Sequence, residues 1–241
     1  MNPLSSWFHR TVLGRAPLKL LVPAYFRPGE RWDQMRAGAP TVGLLILNPD
    51  SGPGLRVDPG YAAAATAARA AGLAVLGYVH TSYGGRPREE VLAEIARYYD
   101  DYAVSGIFLD EVPAADTARR YYGHYTLLAE KLRARDATAR LVLNPGMDTC
   151  PDYLDFADVL VTFEQAADQH PQWVRPEWTL KWPPERFCHL IHSAPAAALP
   201  ACLQRARAWG VGWVYVTDDR LPNPWDVLPT YWPELLARAG V

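Results

Sequence analysis

The sequence predicts a single (β/α)₈ barrel, and three observations support this fold class. Short aliphatic runs alternate with amphipathic or Ala-rich segments, as in repeated βα units around a parallel sheet. Nearly every run ends in a polar or reactive side chain, whereas a doubly wound open sheet, the main rival, concentrates such groups at a switch point. The first run is followed by Pro28-Gly29-Glu30 in place of a Gly-rich phosphate loop. We therefore expect one barrel domain over residues 1–241, with 1–17 as an N-terminal extension.

The strands are predicted from short runs rich in Val, Ile and Leu that are bounded by turn-forming residues. Buried parallel strands have this nearly continuous apolar character because helices cover the outside of the sheet. In chain order the predicted strands are 18–25, 42–48, 74–80, 106–111, 140–144, 158–164, 187–192 and 212–218.

The intervening segments are predicted to be helices, and some carry their own end signals. Asp58-Pro59 places a capping side chain and a first-turn proline at one start, and Gly72 follows the same helix. In order the predicted helices are 32–37, 59–71, 88–102, 117–135, 151–156, 168–173, 197–209 and 231–239. Two Pro-rich loops, 176–184 and 221–229, are expected to form ordered covers near the later strands.

Composition excludes several classes of partner. A chain of 241 residues that is 49% hydrophobic can bury one sizeable core, and a net charge of -2 provides no basic field for nucleic acid or acidic membranes. Residues 1–19 lack the continuous apolar core of a signal peptide, and no segment is apolar enough to span a bilayer. The chain as given is therefore expected to be cytoplasmic, although a chain whose export signal had been removed would have the same sequence.

Two strands end in carboxylates whose orientation follows from the alternation of side chains along a strand. Turning Asp110 into the barrel sends Ile107 and Leu109 outward, onto the helix layer. Turning Glu164 inward sends Phe163 outward in the same way. Asp110 and Glu164 are thus expected to face one another across the mouth, with Glu111 at the rim. A pair of carboxyl groups is what glycoside hydrolysis requires, one as acid and the other as nucleophile or base. The alternative interpretation of Asp110-Glu111 is a solvated loop start or a helix cap.

Other polar side chains at the predicted mouth are candidate substrate-binding groups. Asn48-Pro49 and Asn144-Pro145 also have turn chemistry, and a buried His often serves only to satisfy hydrogen bonds, so a structural role is the alternative interpretation for these residues. The candidates are Tyr25, Asn48, Tyr78, His80, Tyr83, Asn144, His192, Tyr215, Asp218 and Asp219.

Neither a metal nor another cofactor is expected. His80, Asp110 and His192 could converge, but the first strand ends without a His-x-His pair and H-E-x-x-H is absent. The three cysteines, Cys150, Cys188 and Cys202, have no neighbouring base and are interpreted as buried thiols. No G-x-S-x-G elbow occurs.

Six ordered motifs, spread over most of the chain, resemble the spherulin-4-like (spherulation-specific) family. They are LVPAYF at 21–26, LNPDSGPG at 47–54, LGYVHTSYG at 76–84, GIFLDE at 106–111, LNPG at 143–146 and TFE at 162–164. The resemblance implies a (β/α)₈ barrel and a retaining, endo-acting hydrolase of galactosaminogalactan that cuts α-1,4-linked N-acetylgalactosamine. It also implies that Asp110, Glu111 and Glu164 are the essential acids. Members of this family are often secreted or membrane-anchored, which differs from the absence of an export signal here.

Our mechanistic hypothesis has Asp110 as nucleophile and Glu164 as acid/base, with Glu111 orienting one of them or stabilising the transition state; an exchange of roles is an open alternative. The expected partner is a polysaccharide or oligosaccharide substrate, with no nucleic acid and no membrane. A hydrolase of a different amino-sugar polymer and a non-catalytic polysaccharide-binding barrel are the alternatives. Paired acids argue against a pure binder, which needs only hydrogen bonds and stacking.

Overall fold

The computed structural model describes residues 17–241, apart from the side chain of Asp116. Eight parallel strands form a closed barrel in which each strand pairs with the next along the chain and β8 pairs back onto β1. This confirms the predicted (β/α)₈ fold. The predicted extension 1–17 lies outside the described residues except for its last member.

Each predicted strand overlaps an observed one. The barrel consists of β1 (Lys19–Ala24), β2 (Val42–Leu47), β3 (Ala74–His80), β4 (Gly106–Asp110), β5 (Arg140–Leu143), β6 (Val159–Ala166), β7 (Phe187–His192) and β8 (Trp213–Val216). The largest differences between predicted and observed strand ends are at two strands. β6 continues two residues beyond Glu164, and β8 ends two residues before Asp218.

Six of the eight predicted helices overlap an α-helix, although the start of the predicted helix 117–135 is a 3₁₀ segment up to Tyr121. These are α1 (Glu30–Ala37), α2 (Pro59–Ala70), α3 (Arg88–Tyr102), α4 (Tyr122–Arg135), α5 (Leu199–Ala208) and α6 (Trp232–Ala239). The predictions of α-helices at 151–156 and 168–173 were wrong, because these segments form short 3₁₀ turns at Pro151–Asp155 and His170–Gln172. Each has a proline at its start and too few residues to repay the cost of helix nucleation.

Helix α3 illustrates how the outer layer packs on the barrel. Its buried residues, Val91, Ile95, Tyr98 and Tyr102, recur every three to four positions and so form one face of the helix. The Tyr98 ring packs so closely on β3 that a Cβ at Gly77 would lie 2.3 Å from it. The Tyr98 hydroxyl also donates to the carbonyl of Leu47 at 3.2 Å. This packing fixes the part of the barrel that carries the ends of β2 and β3.

The three cysteines are free and buried, as expected for structural thiols. Within residues 17–241, none of the helices has the length and apolar character needed to cross a bilayer.

Candidate active site

One amide joins the two carboxylates that the sequence placed at the ends of β4 and β6. Nδ2 of Asn144, just after β5, donates to Oδ1 of Asp110 at 2.7 Å and also to Oε2 of Glu164. Because both hydrogen bonds start at one nitrogen, the two carboxylate oxygens lie no more than roughly 5 Å apart. β5 lies between β4 and β6 in the barrel, so the strand order itself puts the amide between the acids.

Asp110 is held in place by further donors. The Tyr78 hydroxyl donates to Oδ2 of Asp110 at 2.8 Å, and the backbone N–H of Glu111 also donates to this carboxylate. Tyr78 lies on β3, whose residue His80 is in register with Asp110. Tyr25, at the end of β1, packs edge-on against the Tyr78 ring with centroids 5.4 Å apart. Two phenols thus form the wall behind Asp110.

The surroundings raise the pKa of both buried acids. Burial and the nearby Asp110 carboxylate raise the pKa of Glu164 to about 7, against the opposing effect of the Asn144 hydrogen bond. Burial likewise raises the pKa of Asp110, while its hydrogen bonds from Tyr78, Glu111 and Asn144 favour the ionised form. Asp110 receives more hydrogen bonds than Glu164, so its ionised form is the better stabilised of the two.

Glu111 is at the rim in a strained backbone conformation. Its φ is 52°, in the left-handed region that a residue with a Cβ rarely adopts. Its Oε2 lies 3.6 Å from Nδ1 of His80, and both side chains are more than a third exposed. Strained residues persist where the surrounding structure holds them, and they cluster at functional sites.

A cleft of 290 Å³ opens directly above these acids at the C-terminal end of the barrel. Its lining residues are Tyr83, Asp110, Glu111, Asn144, Pro145, Gly146, Met147, Glu164 and Gln165. Tyr83 and Met147 are 62% and 50% exposed and form hydrophobic walls at its mouth. A larger cavity of 860 Å³ lies at the starts of the strands, near Lys19, Arg140 and Trp213, and therefore at the opposite end of the barrel from the carboxylates.

The remaining predicted site residues divide into two groups. Tyr25, Tyr78, His80, Tyr83 and Asn144 surround the three acids, as described above. Three of the others accept hydrogen bonds in their own loops: Asn48 from the N–H of Gly52, Asp218 from the N–H of Thr230 and Asp219 from the N–H of Arg220. Tyr215 and His192 both pack on Trp225, a residue that lies beside Glu164.

A family model described as spherulation-specific family 4 matches residues 19–239. The chain belongs to this family. It is also 33% identical to Spherulin-4 of Physarum polycephalum over 225 residues, which cover 88% of this chain and 67% of that protein.

Solved structures similar to this member of the spherulation-specific family include proteins described as glycoside hydrolases. The crystal structure of Aspergillus clavatus Sph3 in complex with GalNAc superposes with a TM-score of 0.75 at 24% identity, covering 95% of this chain and all of that one. The glycoside hydrolase domain of PelA from Pseudomonas aeruginosa superposes with a TM-score of 0.53 at 13% identity, covering 84% of this chain and 96% of that one. At these identities the matches support the barrel fold.

One residue beside Glu164 was not predicted from the sequence of this member of the spherulation-specific family. Trp225, in the Pro-rich loop after β8, is buried, and its indole N–H lies close enough to Glu164 to lower the pKa of that carboxyl against the effect of burial. The carbonyl of Trp225 accepts from the N–H of Tyr25 at 3.1 Å. The available signal was a tryptophan inside a loop predicted to cover the later strands.

No cluster of three or more His, Cys, Asp or Glu side chains in the described part of the chain could hold a metal ion. His80 and His192, which the sequence brought into consideration for a metal together with Asp110, have separate partners: His80 lies beside Glu111, and His192 lies beside Trp225 and Ser193.

Proposed function

We propose that this chain is a glycoside hydrolase that uses Asp110, Glu111 and Glu164 to cleave an amino-sugar polysaccharide. The observation that carries the proposal is the single Asn144 amide that donates to both Asp110 and Glu164. This arrangement holds two carboxyl groups of different proton affinity about one sugar ring apart, under an open cleft.

In the proposed mechanism, Glu164 is the acid/base. With a pKa of about 7 it carries a proton near neutral pH and can give it to the departing glycosidic oxygen. The ionised Asp110 attacks the anomeric carbon as the carbon–oxygen bond breaks, which forms a glycosyl ester. Glu164 then takes a proton from water, the water oxygen attacks the anomeric carbon, and Asp110 leaves.

Glu111 supplies negative charge at the rim. It lies beside Asp110 along the chain and projects into the same cleft, where an anion stabilises the positive charge that develops on the sugar ring in the transition state. His80, 3.6 Å away, restrains the position of its carboxylate.

For the substrate, we propose α-1,4-linked N-acetylgalactosamine in a galactosaminogalactan-like polymer, cleaved within the chain. Sph3, the structural neighbour, was crystallised in complex with GalNAc. The described residues that line the cleft include three acids and neither Lys nor Arg, so a neutral or cationic sugar is favoured over a polyuronate. Tyr83 and Met147 line the same cleft as the acids and offer exposed apolar surface on which sugar faces can pack.

The test is a reducing-end assay on a polymer rich in α-1,4-linked N-acetylgalactosamine. We expect wild type to release new reducing ends, and Glu164→Gln and Asp110→Asn to lose at least about 1000-fold in kcat while remaining folded. Glu130→Gln, an exposed position on α4, is the matched control and should keep full activity. Retained hydrolysis in Glu164→Gln contradicts the assignment, and wild-type binding without new reducing ends supports the alternative of a polysaccharide-binding barrel.

The stereochemistry is tested separately by proton NMR of the first products. A double displacement through Asp110 yields products that keep the anomeric configuration of the substrate. Inverted products would assign Asp110 the role of a base that activates water.

A further inference from the structure

Two hydroxyl groups lie directly beneath the turn that carries Asp110 and Glu111. The Thr81 hydroxyl, after β3, is 3.0 Å from the carbonyl oxygen of Asp110 and 2.8 Å from that of Glu111. It is also 2.6 Å from the hydroxyl of Tyr125, on α4. Thr81 and Tyr125 are both fully buried. Helix α4 is thereby connected through β3 to the acids at the end of β4.

The direction of these hydrogen bonds follows from the chemistry of the groups. A carbonyl oxygen can only accept, so the single proton of the Thr81 hydroxyl must go to Asp110 or Glu111. The Tyr125 hydroxyl must then be the donor to Thr81. Burial raises the pKa of Tyr125, so its hydroxyl keeps the proton that this arrangement needs.

The backbone that this pair supports is strained on both sides. Glu111 has a φ of 52°, and Ser82 and Tyr83 in the neighbouring loop have φ values of 48° and 55°. The two loops are joined by a hydrogen bond of 2.7 Å from the N–H of Tyr83 to the carbonyl of Glu111. Three left-handed residues in contact need support from outside the loops, because the left-handed conformation is unfavourable for residues with a Cβ.

We propose that the Thr81–Tyr125 hydroxyl pair is a positioning device that holds Glu111 in its left-handed conformation and so aims the Asp110 and Glu111 carboxylates at the sugar. This inference rests on the proposed function for its kinetic consequences. Neither hydroxyl lines the cleft, so Thr81 and Tyr125 act through the acids rather than on the substrate.

The experiment compares Thr81→Val, Tyr125→Phe, the double variant Thr81→Val/Tyr125→Phe and the conservative variant Thr81→Ser. Thr81→Val leaves the buried Tyr125 hydroxyl without an acceptor and lowers the melting temperature. The double variant removes both partners, which restores most of the stability. We expect kcat to be 10- to 100-fold below wild type in both Thr81→Val and the double variant. Removing the unpaired Tyr125 hydroxyl restores stability but does not return the displaced carboxylates to their positions. KM stays within about twofold of wild type, and Thr81→Ser recovers most of kcat.

A purely structural role makes a different prediction, in which kcat recovers together with the melting temperature in the double variant; that result overturns the proposal. Thr66→Val is the matched control, since the Thr66 hydroxyl bonds only the carbonyl of Ala62 on the exposed face of α2.

A crystal structure of the double variant gives a readout that does not depend on activity. We expect Glu111 to leave the left-handed region and its carboxylate to move away from His80. An unchanged Glu111 defeats the proposal even if no polymer is hydrolysed, whereas an inert wild type defeats only the proposed function.

Discussion

His170 and His189 share a hydrogen bond of 3.0 Å between two imidazoles that are both fully buried on the outer side of β6 and β7. Phe163, the residue before Glu164, packs against both rings at centroid distances of 4.9 and 5.5 Å. The pair therefore backs the strand segment that presents the proposed acid/base. Within the described residues, the outer nitrogens, Nδ1 of His170 and Nε2 of His189, have no hydrogen-bond partner. Indole rings stand nearly perpendicular to both imidazoles, Trp209 beside His170 and Trp173 beside His189.

We predict that this pair makes the fold sensitive to acid. Burial lowers the pKa of His170 to about 4 and lowers that of His189 as well, so the folded state binds fewer protons than the unfolded state. The stability that the neutral histidines contribute is fully present above about pH 6.5, the pKa of histidine in the unfolded chain. It is lost as the pH falls towards 4. His170 alone accounts for about 2 kcal/mol between pH 7.5 and 5. Urea denaturation at the two pH values measures this, and His170→Leu/His189→Leu should flatten the difference. An equal loss in the variant would show that other groups cause it.

A second prediction concerns the alkaline limit of activity. The profile of kcat/KM should fall through the apparent pKa of the Asp110–Glu164 pair, near 7, because the proposed acid is lost above it. Trp225→Phe removes the indole N–H that favours ionised Glu164, so the alkaline limb of the kcat/KM profile should shift to higher pH by about 1 unit. Trp182→Phe, in the loop before β7, is the control and should leave the profile unchanged. A shift to lower pH in Trp225→Phe contradicts this account.

A third prediction concerns the bridging amide. Asn144→Ala removes the donor between Asp110 and Glu164, so the two carboxylates repel without compensation and move apart. We expect kcat to fall about 100-fold and the apparent pKa of the pair to rise, measured from the pH dependence of turnover. Activity within threefold of wild type would mean that the amide does not organise the pair.

A fourth prediction concerns the wall of the cleft. Tyr83 is 62% exposed, and a sugar stacked on its ring should gain about 1 kcal/mol. Tyr83→Ala should raise KM three- to tenfold while kcat and the melting temperature stay nearly constant. Leu180→Ala, an exposed apolar side chain away from the cleft, serves as the comparison. A fall in kcat with constant KM would place Tyr83 in support of the strained loop instead.

The barrel and the location of the acids could be predicted from local patterns. Buried parallel strands appear as short aliphatic runs whose polar ends mark one edge of the barrel, so the positions of Asp110 and Glu164 at that edge could be predicted from the sequence. The helices after β5 and β6 could not be predicted correctly, because a short segment with a proline has similar composition whether it forms an α-helix or a 3₁₀ turn. Asn48 and Asp218 also end predicted strands, yet their oxygens bind N–H groups of their own loops.

The sequence by itself determined the order of strands, the faces they bury and the edge at which the acids gather, because these depend on periodicity and chain connectivity. Only the tertiary structure decided which side chains accept hydrogen bonds from the same donor. The Asn144 amide reaches Asp110 and Glu164 across 34 and 20 residues, and Trp225 reaches Glu164 from a loop after the last strand. Such contacts depend on barrel closure and on side-chain direction in three dimensions. The pKa of an acid depends on those same neighbours and on its burial, which no local pattern contains.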